Sequence, residues 1–154
     1  MPERSVAFYA IESDFLSVAV KSVEKMYTSG RRVLLLCDLE EEVKRFDSTL
    51  WTFSKVSFIP HGSRYSMKPE DAVFCDTWIS TKMDLLNDPV CLIHNGLHIQ
   101  RNDLLRFSIV IDIFNRELLV EAKERSKSYR DAQFLQQKLW IQKRGGGWEA
   151  GDEP

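Results

Sequence analysis

The spacing of apolar residues divides the first fifty positions into two strands and two helices. Residues 6–11 form a short apolar strand, and residues 33–37 form an uninterrupted apolar run, typical of a strand buried on both faces. Between and after these strands, apolar residues recur at helical spacing. The inward residues predicted for the two helices are Phe15, Leu16, Ala19, Val20, Val23, Met26 and Tyr27, then Leu39, Val43, Phe46 and Leu50.

Polar residues and glycine mark the predicted ends of these helices. Ser13 is the expected N-cap of the first helix, and Gly30 is its expected C-terminal stop. Asp38 is expected to cap the second helix, with Glu41 three positions later in the manner of a capping box.

The remaining pattern extends the alternation of strands and helices. Short strands are predicted near residues 56–59, 72–75, 90–93 and 107–114, and a long helix is predicted from about Asn115 to beyond Phe134. Residues 61–71 have the composition of a polar loop, and 79–89 of a short helical turn. This order predicts an α/β fold: a single open, mostly parallel sheet with helices on both faces, Rossmann-like. One domain is expected over 1–142, with a flexible glycine-rich tail at 143–154.

Composition narrows the classes of protein. The chain has 154 residues, 44% of them hydrophobic, with 21 Lys and Arg against 23 Asp and Glu. The resulting net charge of −2 argues against a protein that coats nucleic acid over its whole surface. No apolar run reaches the length of about 18 residues that spans a bilayer, and residues 1–4 do not resemble a signal peptide. We therefore expect a cytoplasmic protein without a membrane partner, whose Cys37, Cys75 and Cys91 are buried free thiols.

Familiar catalytic and cofactor motifs are missing from the sequence. The turn after the first strand is Glu12-Ser13-Asp14 rather than a glycine-rich phosphate loop, and no G-x-x-x-x-G-K-[ST] motif occurs. His94 and His98 flank an Asn-Gly turn, which argues against a zinc pair on a helix. We predict neither cofactor nor metal and no enzymatic activity. The alternative is a small nucleotide-binding or Mg²⁺-dependent nuclease domain, which would use carboxylates at the strand ends: Asp38, Asp71, Asp76 and Asp112.

Large apolar side chains crowd the segment after the second helix. They are Trp51, Phe53, Phe58, Ile59 and Pro60. Neither helical nor strand periodicity places all of them on one face, so they are either a loop folded onto the core or a protein-binding surface.

The last predicted helix carries a basic stripe. At 100° per residue, four cations fall on one side, with Val120 and Phe134 on or beside them. Leu118, Ala122 and Tyr129 fall on the opposite, inward side. The cations are Arg116, Lys123, Lys127 and Arg130. Such a stripe is either a solvated face or a site for a short acidic peptide that ends in an apolar residue and a carboxylate.

The chain resembles the chi subunit of bacterial DNA polymerase III over about residues 5–141. The stretch Ser57-Phe58-Ile59-Pro60-His61-Gly62, with Leu50-Trp51 before it, is similar to the corresponding family segment. Three further segments fall in the family's order: 29–34, 107–112 and 122–130. Two positions depart from the expected pattern, namely Ser126 in place of an aromatic residue and Gln133 in place of a glycine.

The resemblance implies a non-catalytic accessory subunit of the clamp-loader complex in DNA replication, the polymerase activity lying in another subunit. Its partners would be the C-terminal tail of single-stranded-DNA-binding protein and the psi subunit or another clamp-loader component, with DNA contact mainly indirect. The tail would bind Lys123, Lys127, Arg130, Arg116 and Val120, and the loader would bind Trp51, Phe58, Ile59, Pro60 and His61. A helicase-binding adaptor that uses the same aromatic residues is a third possibility.

Overall fold

The computed structural model describes residues 3–52 and 58–154. Eight strands form one sheet: β1 (Ser5–Ile11), β2 (Val33–Leu36), β3 (His61–Ser63), β4 (Thr77–Ser80), β5 (Cys91–His94), β6 (Ile109–Asn115), β7 (Gln136–Gln142) and β8 (Trp148–Gly151). The α-helices are α1 (Phe15–Thr28), α2 (Glu40–Thr52), α3 (Arg101–Leu104) and α4 (Leu119–Asp131), and two 3₁₀ turns cover Pro69–Phe74 and Arg116–Leu118.

The sheet is open and almost entirely parallel. Its strand order is β3-β4-β2-β5-β6-β1-β7-β8, and only the β7–β8 pair is antiparallel. Each of the other neighbouring pairs runs parallel. The predicted α/β fold class is therefore confirmed.

Helices cover both faces of this sheet. Side chains of α1 and α2 pack on one face, where Phe15 and Phe46 meet edge to face at 5.4 Å between ring centroids. Ala122 and Tyr129 of α4 pack on the other face, together with Phe8 and Trp78. None of the helices in the described ranges combines the length and apolar character needed to cross a membrane.

The first two helices form where expected, but their caps differ from the prediction. Asp14, not Ser13, caps α1, because its Oδ1 accepts the Ser17 N–H at 2.9 Å. Glu42, not Glu41, folds back at the start of α2, and its Oε1 accepts the N–H groups of Asp38 and Leu39 at 3.1 Å each. Leu39 precedes the first helical turn, so its side chain is exposed rather than part of the inner stripe.

Predictions for the middle of the chain are less accurate. The strand expected near 72–75 is wrong, since Pro69–Phe74 form a 3₁₀ turn and β4 begins at Thr77. Residues 79–89 do not form a helical turn, and 61–71 are not all loop, because β3 occupies His61–Ser63. Phe53 and part of the strand expected near 56–59 lie outside the described residues, and the described part, Phe58 and Ile59, precedes β3 without belonging to a strand.

The last helix is shorter than predicted because Gln133 adopts a left-handed conformation, with φ +69°. A glycine tolerates this conformation without steric cost, which gives a physical reason for the glycine expected at this position. The turn also directs Phe134 into the core, where it is fully buried instead of lying beside the basic stripe.

The segment predicted to be a flexible tail contains β8. Gly145, Gly146 and Gly147 all have positive φ and form the turn that reverses the chain. Trp148 then packs edge-on against Tyr9, with ring centroids 5.1 Å apart. The hairpin thus extends the sheet by one strand beyond the predicted domain.

We expect Gln133→Gly to raise the free energy of unfolding by about 0.5–1 kcal/mol. A glycine avoids the steric cost of a left-handed backbone, about 1–2 kcal/mol. Its greater conformational entropy in the unfolded chain offsets roughly 0.5–1 kcal/mol of that gain. Urea unfolding of both proteins measures the difference. Glu124→Gly, in the interior of α4, is the matched control and should destabilise by roughly 0.5–1 kcal/mol. A loss of stability in Gln133→Gly would show that the Gln133 side chain, rather than its backbone, matters.

Candidate protein-binding surfaces

An exposed aromatic pair lies at the end of α2. Trp51 and Phe58 are 55% and 58% exposed, and their ring centroids are 5.2 Å apart. Pro60 is half-buried beside them. Together Trp51, Phe58 and Pro60 form what we term the aromatic surface. Phe58, expected from the resemblance to contact the loader, is thus exposed in the isolated chain.

Ile59 and His61, predicted to belong to the same surface, face the interior. Ile59 is 1% exposed and joins the core beneath α1 and α2, and His61 is 2% exposed at the start of β3. Alternating residues of an extended segment point to opposite sides, so burial of Ile59 turns Phe58 and Pro60 outward. The interface predicted at Ile59 and His61 is corrected accordingly: both residues support the surface from below.

His61 lies under Trp51, with both of its ring nitrogens next to backbone carbonyl oxygens. Its Nδ1 lies 2.8 Å from the Ile59 carbonyl oxygen, and its Nε2 lies 3.0 Å from the Asp47 carbonyl oxygen. Both oxygens can only accept, so the protonated imidazole, which donates from both ring nitrogens, satisfies this arrangement best. The Trp51 ring meets this imidazole at 4.8 Å between centroids.

The Asp47 carboxylate completes the buried pair. Its Oδ1 is 3.3 Å from His61 Nε2, and its Oδ2 accepts the Ser63 hydroxyl at 2.6 Å. Burial lowers the pKa of His61, but the hydrogen bonds to Asp47 and to the Ile59 carbonyl outweigh it and raise that pKa. Burial raises the pKa of Asp47, but the neighbouring His61 and the hydrogen bond from Ser63 together hold it below its ordinary value. The floor of the aromatic surface is thus a buried His61–Asp47 pair, and both pKa shifts favour its charged form.

The basic stripe forms on one flank of α4. Lys123 and Lys127 are exposed one helical turn apart, and neither makes an ion pair within residues 3–52 and 58–154. Arg130 pairs with Glu153, and Arg116 pairs with Glu12 at 2.9 Å. All four predicted cations therefore lie at the surface, and two of them form ion pairs with carboxylates of the same chain.

Apolar side chains lie at the N-terminal end of this flank. Val120 is 68% exposed, as the stripe predicts, and Leu119 beside it is 38% exposed. Leu118 was predicted to point inward but is 49% exposed, because residues 116–118 form a 3₁₀ turn and not the first turn of α4. Sequence periodicity did not predict that Leu118 and Leu119 are exposed, because it placed the start of the helix earlier in the chain.

The inward side of α4 is tied to the sheet by a polar network. Arg125 donates to both carboxylate oxygens of Asp112, at 2.8 and 3.1 Å, and the Tyr129 hydroxyl donates to Asp112 Oδ2 at 2.7 Å. His94 Nδ1 accepts the Leu97 N–H at 2.9 Å, so its Nε2 carries the proton, 2.8 Å from the Tyr129 oxygen. Burial lowers the pKa of His94, consistent with a neutral ring.

This network lies at the carboxyl end of β5 and beside Asp112, midway along β6, close to the edge where Rossmann-like sheets usually hold ligands. Asp112 there is engaged by Arg125 and Tyr129. His98, unlike His94, is exposed. Among the described residues, no three His, Cys, Asp or Glu side chains are grouped so as to hold a metal ion. Ser126 is buried and donates a hydrogen bond to Gln137, so it contributes to the helix–sheet contact and not to the stripe.

Taken together, the described residues form an open α/β domain that exposes an aromatic surface on one side and a cationic helix flank on another. The sequence profile of the family described as DNA polymerase III chi subunit, HolC, matches residues 3–137. The chain therefore belongs to the DNA polymerase III chi subunit family, whose members are accessory subunits in DNA replication.

Individual relatives agree with this assignment. The DNA polymerase III subunit chi of Escherichia coli (strain K12) is 25% identical over 141 residues, which cover 85% of this chain and 94% of that protein. A probable DNA polymerase III subunit chi of Rickettsia prowazekii (strain Madrid E) is 36% identical over 56 residues, covering 36% of this chain and 33% of that protein. The resemblance inferred from the sequence is confirmed.

The His61–Asp47 pair predicts a particular pH dependence of stability. A raised His61 pKa contributes stability that is lost as pH rises through the folded pKa, and a lowered Asp47 pKa contributes stability that is lost as pH falls through its folded pKa. The pair is therefore fully effective between the ordinary values of about 4 for Asp and about 6.5 for His. We expect Asp47→Asn to lower the free energy of unfolding by roughly 1–3 kcal/mol in this window.

Urea unfolding at a series of pH values measures this difference between wild type and Asp47→Asn. The difference should shrink as pH rises above the His61 pKa. His98→Gln, at an exposed histidine, is the control and should show no such trend. A difference that stays constant from mildly acidic to alkaline pH would mean that His61 is not held in its charged form.

Proposed function

We propose that this protein is a non-catalytic accessory subunit that tethers the clamp-loader complex to coated single-stranded DNA. In this role α4 binds the C-terminal tail of single-stranded-DNA-binding protein, and the aromatic surface binds the psi subunit or another clamp-loader component. The observation that carries the proposal is the flank of α4, where Lys123 and Lys127 are exposed together beside Val120.

Charge explains why this flank suits an acidic tail. Arg130 and Arg116 already hold the carboxylates of Glu153 and Glu12, so the stripe is a place where carboxylates bind. An incoming acidic peptide would contact Lys123 and Lys127 directly and would replace Glu153 at Arg130. Single exposed ion pairs contribute only about 0–1 kcal/mol, so several are needed for useful affinity. The lysines supply the contacts that no carboxylate of the described chain competes for.

Apolar contacts give the peptide its direction. Val120 and Leu119 are exposed at the N-terminal end of α4, and the cations continue toward its C-terminal end. An apolar residue at the end of the tail would pack on Val120, while the terminal carboxylate and neighbouring acids would pair with the lysines. Hydrogen bonds to a charged carboxylate contribute about 1.5–3 kcal/mol each.

The positions of the two surfaces suit a bridging protein. The buried side chains of α2, the helix that carries Trp51, pack on one face of the sheet. Those of α4 pack on the other face. A partner on the aromatic surface therefore leaves α4 accessible. Two weak contacts joined through one rigid domain give higher avidity than either contact alone.

Reversing both lysines should abolish most tail binding. We expect Lys123→Glu with Lys127→Glu to reduce affinity for a fluorescent acidic tail peptide at least about tenfold, because two attractions become repulsions. Wild-type affinity should fall as salt rises, since the Debye length falls from about 10 Å at 0.1 M to about 3 Å at 1 M. Fluorescence anisotropy measures both effects. The thermal midpoint should hardly change, because both side chains face solvent.

Two variants serve as controls for this experiment. Lys82→Glu reverses the charge of an exposed lysine outside α4 and should leave peptide affinity unchanged. Arg130→Ala should weaken binding less than reversal of the lysine pair, because Glu153 already competes for Arg130. Equal affinities of wild type and the lysine double variant would show that the stripe is only a solvated face.

Truncating Phe58 tests the aromatic surface. Phe58→Ala should weaken binding to the clamp-loader partner by roughly 2 kcal/mol or more, as expected for a central aromatic anchor, while the protein stays folded. Co-purification with the partner from native cells, followed by titration, measures the loss. Phe74→Ala is the matched control, since Phe74 is 76% exposed on a separate 3₁₀ turn. If Phe58→Ala unfolds the protein but the folded fraction binds normally, Phe58 belongs to the core.

A further inference from the structure

A groove unrelated to the two surfaces above lies between α1 and the β7–β8 hairpin. Its volume is about 480 Å³, within the range of roughly 300–1,000 Å³ found for ligand sites. Its walls include Tyr9, Trp140 and Trp148 from the sheet, Lys21 and Lys25 from α1, and Gly147 from the hairpin turn. It lies at the opposite edge of the sheet from β3, next to which the aromatic surface is found.

Three aromatic rings form the floor of the groove. Tyr9 and Trp140 are register partners on β1 and β7, so they point to the same face of the sheet. Trp148 on β8 pairs with Gln142, two residues beyond Trp140, and therefore shares that face. Trp148 meets Tyr9 edge to face at 5.1 Å, and all three side chains remain half-buried instead of being enclosed by the core. Indole and phenol rings are thus available to a planar ligand.

The facing wall is cationic. Lys21 and Lys25 are exposed one helical turn apart on α1, and the hairpin turn that closes the groove carries Lys143 and Arg144. No Asp or Glu is among the described residues that line the groove. This local excess of positive charge contrasts with the net charge of −2 of the whole chain.

We propose that this groove binds a short stretch of single-stranded nucleic acid. Bases would stack on Tyr9, Trp140 and Trp148, and phosphates would pair with Lys21 and Lys25. Aromatic rings beside a row of cations are the usual basis of sequence-tolerant single-strand binding. An acidic peptide would use the cations but would need several aromatic side chains to stack on three adjoining rings, and a duplex keeps its bases stacked inside. The site is on the α1 face of the sheet, away from α4, and does not depend on the proposed tail binding.

Fluorescence anisotropy with a labelled oligothymidylate of about 15 nucleotides tests this proposal on the full chain, at low salt. Lys21→Ala with Lys25→Ala should weaken binding at least about fivefold. It should also reduce the slope of log affinity against log salt by about 1.4, since each neutralised phosphate of a single strand contributes about 0.7. Trp148→Ala should weaken binding by a similar factor, and Trp148→Phe should restore most of it. Because Trp148→Ala removes a hairpin contact, its fold is checked by circular dichroism, and the exposed lysine variant tests the site independently.

The α4 variants separate this proposal from tail binding. Lys123→Glu with Lys127→Glu should leave oligonucleotide affinity unchanged, and Lys21→Ala with Lys25→Ala should leave tail-peptide affinity unchanged. Absence of oligonucleotide binding at low salt, or wild-type affinity in the α1 lysine variant, would overturn the proposal. Loss of tail-peptide affinity in that variant, without loss of oligonucleotide affinity, would make the groove a peptide site and would also overturn it.

Discussion

Two-sided burial of the central strands is the constraint on which the rest of the structure depends. β2 and β5 are buried along their whole lengths, and side chains such as Leu34 and Leu35 point to opposite faces with no exposure. A parallel sheet of this kind cannot leave either face to water, so helices must cover both. At roughly 25 cal/mol per Å² of apolar surface buried, these contacts dominate the stability of the domain. Interaction with other molecules is then confined to helix flanks, loop segments and the sheet edges.

Both candidate protein-binding surfaces are built on buried polar pairs. Under the aromatic surface, His61 and Asp47 connect the start of β3 to α2. Under the basic stripe, Asp112, Arg125 and Tyr129 connect β6 to α4. A charge left without its partner in such a place is costly, so each pair fixes one arrangement of the elements that it joins. The exposed side chains are thereby presented on rigid supports, which reduces the ordering that a partner must impose on binding.

The accuracy of the sequence-based predictions follows the strength of the periodic pattern. β1, β2, α1 and α2 carry many apolar residues at regular spacing, and each is found within one or two residues of its predicted place. The short strands β3 and β4 lie among turns and polar residues. Three or four positions are too few for the alternation of apolar and polar residues to define a strand. The end of α4 depends on a left-handed Gln133, and no propensity marks a glutamine for that role. Exposure of Phe58 could be expected, but burial of Ile59 and His61 depends on contacts with α1 and α2 that are distant in sequence.

The Arg130–Glu153 pair has a consequence for selectivity. When an external carboxylate replaces Glu153, one ion pair is exchanged for another, and the number of pairs at Arg130 does not change. A ligand with a single negative charge would therefore gain little from this position, whereas one whose charges extend over about two helical turns would also reach Lys127 and Lys123. In the proposed tail binding, the intramolecular carboxylate would act as a resident competitor, and affinity would depend on the length of the acidic sequence more than on the presence of charge alone.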